Sequence, residues 1–240
     1  MQIEFYSEFP TKKNLQKLKL IDFPSRIFLA AHSIEKFKKL EKQVKRINKK
    51  AEYAYWPLVK NSYWISPFSN TSDLKNLFNN LNKIKNHLLI DLEPPLLNKK
   101  LFLKNIFSFF KNKKLIKEFI ENNKERITTA QHPFPKSKII KFLGLNYNIN
   151  TEKSFMYYTS ANHEVVNNRI RGYLKKIENK KNISVGLGTI DRGVVTTKIL
   201  SPSGLEKDLG FVRQAGFEKT IIFRLGGLNS KYMKVIKKFL

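Results

Sequence analysis

Short apolar segments alternate along this chain with stretches whose apolar residues recur every three or four positions. The short segments predict strands at 2–7, 26–31, 52–56, 87–92, 126–131, 154–159, 183–189 and 219–225, because brief apolar or alternating runs bounded by polar turns suit a buried sheet. The longer stretches predict helices between them. Ile34, Phe37, Leu40, Val44 and Ile47 share one helical face, as do Val166, Ile170, Tyr173 and Ile177, and Leu205, Leu209 and Val212. Ser33, Thr71 or Ser72, Asn162 and Ser201 followed by Pro202 stand where helices should begin. A side-chain oxygen there satisfies a free N–H of the first turn, and proline has none to satisfy.

Eight strand–helix units in 240 residues predict an α/β fold, a single (β/α)8 barrel of TIM type occupying 1–240 as one domain. An open doubly wound sheet is the alternative, but it rarely runs to eight such even units. Helix-to-strand links are short (48–51, 85–86, 179–182), whereas two strand-to-helix links, 57–71 and 190–202, are long. Extra chain therefore collects at the C-terminal face of the barrel, where such folds build their active sites.

The segment HLLIDLEPPL (87–96) places two acids at the end of an apolar strand. Asp91 and Glu93 share a side with Leu89. The outer side packs under helices, where an unpaired acid is costly, so both are expected to face the barrel mouth. Glu4, Tyr6 and Glu8 share the inner side of strand one by the same rule, with Arg224 of strand eight expected to face inward beside them, where a pair with Glu4 would serve structure as readily as function. His32, Trp56, Gln131, His132, Tyr157, Tyr158 and Asp191 are further candidates for the mouth. A metal site from His32, His132, Asp91 and Glu93 is conceivable, but no H-x-x-H or HExxH spacing supports it, and neither metal nor cofactor is expected. The loop YWPLVKNSYWISPFSN carries Tyr55, Trp56, Tyr63, Trp64 and Phe68; its aromatics suit a platform for a flat or cyclic ligand, or else form a core for the loop itself.

Composition changes the picture only in part. The formal charge is +27, but only 8 of the 46 basic residues are arginine. Lysine-rich helix faces are ordinarily just solvated, and arginine supplies the planar forks that read bases and phosphates. Weak attraction to polyanions at low salt is expected all the same. The absence of cysteine rules out disulfides and thiolate metal sites. MQIEFYSEFP lacks the basic and apolar regions of a signal peptide, and no apolar run reaches the roughly 18 residues of a membrane span. A soluble, cytoplasmic protein is the expectation. The stretch 101–120, LFLKNIFSFFKNKKLIKEFI, is apolar and basic. It reads as a barrel helix with its phenylalanines inward, the alternative being a helix lying on a membrane surface.

LLIDLEPP followed by SFMYYTS resembles the chitinase-like glycoside hydrolases of family 18, which are also (β/α)8 barrels. In that family strand four ends in D-x-E, the Glu acting as general acid and the Asp orienting the substrate's N-acetyl group. A Tyr of M-x-Y-D on strand six contacts the same group. The resemblance places these roles on Asp91, Glu93 and, through Met156, Tyr158. The chain departs from the pattern at Leu89, where the longer motif has Asp, at Thr159, where strand six carries an acid, and at the end of strand eight, which has no Trp. DLEPP also resembles the D-E-P strand of cobalamin-independent methionine synthase barrels, whose cysteine zinc ligands are missing here.

These observations lead first to a carbohydrate-active enzyme acting on a small or oligosaccharide substrate. Glu93 is the general acid, Asp91 its neighbour, and Glu8 or Asp191 a second carboxyl. Trp56, Trp64, Tyr158, His132, Asp191 and Arg224 are the expected substrate contacts. A second reading is an isomerase or lyase of a phosphorylated metabolite, with phosphate held by Gly188, Gly226 and Gly227 in GLGTIDRG and RLGGLNS. A third is a non-catalytic basic barrel that binds nucleic acid or another polyanion.

Overall fold

In the computed structural model, which describes residues 1–134, 137–194 and 198–240, the strands close into a barrel in chain order, all neighbours parallel. They are β1 (Gln2–Ser7), β2 (Ser25–Ala31), β3 (Ala51–Pro57), β4 (Leu88–Asp91), β5 (Ile127–Gln131), β6 (Glu152–Tyr157), β7 (Ile183–Gly188) and β8 (Lys219–Phe223). The (β/α)8 barrel is therefore the observed fold. Its helices are less even than the sequence suggests: α1 (Lys12–Leu15), α2 (Ile34–Ile47), α3 (Thr71–Leu81), α4 (Lys100–Lys104), α5 (Phe109–Asn122), α6 (Lys138–Phe142), α7 (Glu164–Lys175), α8 (Pro202–Gln214) and α9 (Ser230–Lys237). After β1 the chain makes the single turn α1, continued by a 3-10 helix over Gln16–Leu20, and after β5 the described chain makes only the short α6.

Alternation along the strands sorts the core into two layers. Tyr6, Phe28, Ala30, Ala54, Trp56, Leu89, Ala130 and Ile221 meet inside the barrel. Phe5, Ile27, Leu29, Tyr55, Ile90, Tyr157, Val185 and Ile222 lie in the larger cluster with the helices. The caps follow the chemistry of the sequence with local shifts. Ser33 and Ser201 cap α2 and α8, and Asn70, not Thr71 or Ser72, caps α3. His163 precedes α7 without a capping bond, so Asn162 does not fill that role.

The N-terminal end of the barrel is closed by charge. Arg26 lies 2.9 Å from Glu152 and 3.8 Å from Glu4, and Lys219 pairs with Glu152. Thr128 donates to Glu152 at 2.8 Å and shares a 2.8 Å hydrogen bond with His87. Burial pushes the Glu4 carboxyl up to about 7 despite Arg26. Burial would also raise Glu152, but Lys219 and Arg26 hold it down at about 2. Of the strand-one acids expected beside Arg224, Glu8 lies 3.9 Å from it and Glu4 does not pair with it. Register sets Glu4 beside Ile221 and Tyr6 beside Phe223, so Arg224 stands beyond Tyr6, roughly 10 Å further along the barrel wall at about 3.3 Å per residue.

Candidate active site

At the opposite, C-terminal end the barrel opens into a cavity of about 270 Å³. The ends of β1, β3, β4, β5, β6, β7 and β8 all reach it, through residues such as Tyr6, Trp56, Asp91, Ala130, Met156, Thr189 and Phe223. This is the position at which barrel enzymes hold their substrates. Three carboxyls, Glu8, Asp91 and Glu93, stand in its wall, with His132 and Tyr158. Most of the remaining surface is apolar: Trp64, Phe134, Val166, Ile170 and Val194. Among the described residues that line it, none is a lysine or arginine.

The strand-four acids arrive as the alternation requires. Leu89 points into the inner core, and Asp91 and Glu93 follow on the same side. The Asp91 carbonyl accepts from the Ile65 N–H at 3.1 Å, and Leu92 N–H donates to the Ala130 carbonyl at 3.1 Å. These bonds fix the strand end between the aromatic loop and β5. Burial pushes the Glu93 carboxyl up to about 7, with the charge of Glu8 adding to the effect. Burial raises Asp91 as well, and Glu93 and Glu8 push it further in the same direction. Neither side chain has a hydrogen-bond or ion-pair partner among the described residues. Among the described residues nothing else neutralises the pair, so burial favours its protonated form.

Glu8 is held differently. Tyr63 Oη donates to its carboxylate at 3.1 Å, the Val194 N–H at 3.4 Å, and Arg224 Nε lies 3.9 Å away. Burial raises its pKa while these partners oppose the rise. Tyr63 adopts a φ of 67° and closes a tight loop with Val59, exchanging hydrogen bonds of 2.9 and 3.0 Å. A bulky side chain in the left-handed region costs on the order of 1 kcal/mol, which those bonds and the contact with Glu8 offset.

The sequence candidates separate into three groups. Trp56, Trp64, Tyr158 and His132 line the cavity, and the buried indole N–H of Trp56 has no partner among the described residues. Burial lowers His132. Arg224 and Asp191 are absent from the wall: they pair at 2.9 Å, and Arg224 also donates to the Arg192 carbonyl at 2.8 Å and lies over the Phe9 ring. Arg224 thus stands behind Glu8 and opposes the rise of its pKa, whereas the charge of Asp191 adds to it. Tyr157 and Gln131 point outward, Tyr157 accepting from Arg171 at 2.6 Å and Gln131 donating to Thr129 at 2.7 Å. His32 is exposed and outside the cavity, so the four residues weighed as metal ligands do not converge. Among the described residues no group of His, Asp or Glu is placed to hold a metal ion.

The aromatic loop divides its side chains between the cavity and its own packing. Trp56 and Trp64 face the cavity and Tyr63 holds Glu8, whereas Tyr55 stacks on Phe37 and Phe68 packs with Phe102 and Phe109. The glycines expected to cradle phosphate are used for close packing of the chain on itself. A Cβ on Gly188 would stand 2.3 Å from the Phe223 carbonyl oxygen, and one on Gly227 2.0 Å from that of Ile190. At Gly226 it would meet Arg224 and Asp191. These contacts account for the glycines without a ligand. Of the long link 190–202, residues 195–197 lie outside the described residues.

Several wall residues carry no signal that separates them from core in the sequence. Phe134, Met156, Val166, Ile170 and Phe223 are ordinary apolar residues, brought to the cavity by the end of their strand or the tilt of their helix.

No protein-family model and no curated protein matches the sequence. Solved structures do resemble the fold. The spore cortex-lytic enzyme SleL of Bacillus cereus superposes with a TM-score of 0.62 at 10% identity, over 100% of this chain and 74% of that one. A chitinase from Bacteroides thetaiotaomicron gives 0.59 at 11% identity, over 99% and 96% of the two chains. A D-allulose 3-epimerase from Methylomonas sp. gives 0.51 at 11% identity, over 100% and 98%. The chain thus has the barrel architecture found in chitinases and a cortex-lytic enzyme, with its strand-four acids in the mouth.

Proposed function

We propose that this protein is a glycoside hydrolase acting on an oligosaccharide of N-acetylated amino sugars, the chemistry that the names of its chitinase and cortex-lytic neighbours suggest. One observation carries the reading: Glu93, raised to about 7, stands beside Asp91 in the wall of a cavity lined by Trp56, Trp64 and Tyr158. A carboxyl that keeps its proton at neutral pH can deliver it to a departing glycosidic oxygen. Tryptophan and tyrosine faces suit the apolar faces of sugar rings. The resemblance to family 18 gives Asp91 and Tyr158 the task of orienting the N-acetyl group, whose carbonyl then attacks the anomeric carbon. Glu8 acts through charge: held by Tyr63 and Arg224, it adds to the burial that favours the protonated form of Glu93.

The wall chemistry counts against the two other readings. A phosphate or nucleic acid would meet three carboxyls and, among the described residues, no cationic side chain from Lys or Arg. The test is hydrolysis of N-acetylglucosamine oligomers and of cortex peptidoglycan, with product release followed by chromatography. Glu93→Gln should lower turnover by about 10²–10⁴-fold while substrate still binds. Unchanged turnover in that variant, or no turnover of any such polymer by the parent, removes the proposal.

A further inference from the structure

We infer that the segment following β4 is a docking surface for an anionic lipid bilayer. This inference does not rest on the hydrolytic reading. Residues 101–120 divide between two environments. Leu101, Phe109, Ile116, Phe119 and Ile120 are buried, as a barrel helix requires. Phe107 is 98% exposed, Leu103 80% and Phe110 68%, with Leu97 and Ile106 about half exposed. The neighbouring α6 adds Ile139 and Phe142, and Phe142 joins the patch through ring contacts with Phe109 and Phe110. Soluble surfaces seldom gather so many large apolar side chains without a partner.

Charge identifies the partner. From Pro94 to Lys117 the chain contains no acid, while Lys99, Lys100, Lys104, Lys111 and Lys113 accompany the exposed apolar residues, and Lys114 pairs with Glu118 at 3.7 Å. No Asp or Glu occurs from Ile127 to Thr151 either, the stretch that carries α6. Apolar side chains that enter the acyl boundary, ringed by lysines that meet lipid phosphates, are the pattern of a peripheral membrane surface. An apolar protein groove would use the phenylalanines but leave the lysines unanswered. No helix among the described residues is long and apolar enough to cross a membrane, so contact would be confined to the surface. Leu96 and Val166 belong to the cavity wall and are also exposed, which sets the mouth of the barrel beside the docked face.

The experiment is sedimentation of the full chain with vesicles of phosphatidylcholine alone or with about one-third phosphatidylserine, at low and high salt. The expected result is partition onto the phosphatidylserine vesicles, weaker at high salt. Leu103→Ser with Phe107→Ser and Phe110→Ser should reduce it at least about tenfold while leaving net charge and far-ultraviolet circular dichroism unchanged. If that variant misfolds, Phe107→Trp serves instead: its fluorescence should shift blue on the anionic vesicles and be quenched by brominated acyl chains. The inference is overturned by three results: absence of partition, equal partition of the serine variant (general lysine charge alone), or concentration-dependent self-association through the same residues without vesicle binding.

Discussion

Glu93 and Glu8 differ in what surrounds them, and that difference has measurable consequences. Glu93 is raised to about 7 by burial and by Glu8, so its proton is held below that pH and lost above it. Hydrolysis that needs this proton should fall on the alkaline side with a limb near pH 7. Glu8→Gln removes the adjacent negative charge, and the limb should move to lower pH in a kcat–pH profile. An unmoved limb would mean that Glu8 does not set the protonation of Glu93. Tyr63→Phe should act in the opposite sense on Glu8 itself, because the phenol's hydrogen bond lowers that carboxyl; its titration, followed by carboxyl carbon NMR, should move upward. The D-x-E acids were legible at this scale because period-two alternation leaves few places for them. Tyr63 was legible only as one aromatic of the loop, since its hold on Glu8 crosses 55 positions of sequence. Arg224 was read as an inward neighbour of the strand-one acids; it stands outside the cavity wall with Asp191, and its partners depend on a strand register that the sequence does not display.

Among the elements, the strands were the most readable, because buried β-structure leaves an apolar signature in every unit. The helices were less so. The chain after β5 offers an apolar stretch, IIKFL, that forms only the short α6, with Ile139 and Phe142 left exposed. The turns after β7 and β8 were read as anion loops, a setting that glycine does not distinguish from close packing. Their role is close approach: a Cβ at Gly227 would overlap the Ile190 carbonyl, a backbone atom that cannot rotate aside. Gly227→Ala should therefore destabilise the protein by roughly 2–4 kcal/mol in a denaturant titration, a magnitude reached when backbone must move. A loss below about 0.5 kcal/mol would mean that the turn has room and could still accept a ligand.

Across the whole molecule, charge is separated along the barrel axis, with the Glu4–Arg26–Glu152–Lys219 network at one end and the three mouth carboxyls at the other. The network was illegible in the sequence because its members come from four distant strands. It contains a testable cost. The folded pKa of Glu4, about 7, exceeds the ordinary 4.5, so the native state holds this proton more tightly than the unfolded chain does. The stability it contributes is complete below about pH 4.5 and is lost as pH rises through about 7. Glu4→Gln should match the parent near pH 4–5 and exceed it by up to roughly 3 kcal/mol at pH 8; equal stability at both values would deny that Glu4 is strained by burial.

The central claim is that Glu93 protonates the leaving oxygen, and its most direct test compares leaving groups in Glu93→Ala. Proton delivery matters for an alcohol and hardly at all for a dinitrophenolate, which departs as a stable anion. The account predicts a loss of about 10²–10⁴-fold on N-acetylglucosamine oligomers and less than about tenfold on the dinitrophenyl glycoside of the same sugar. Equal losses on both substrates, or none on either, would contradict it.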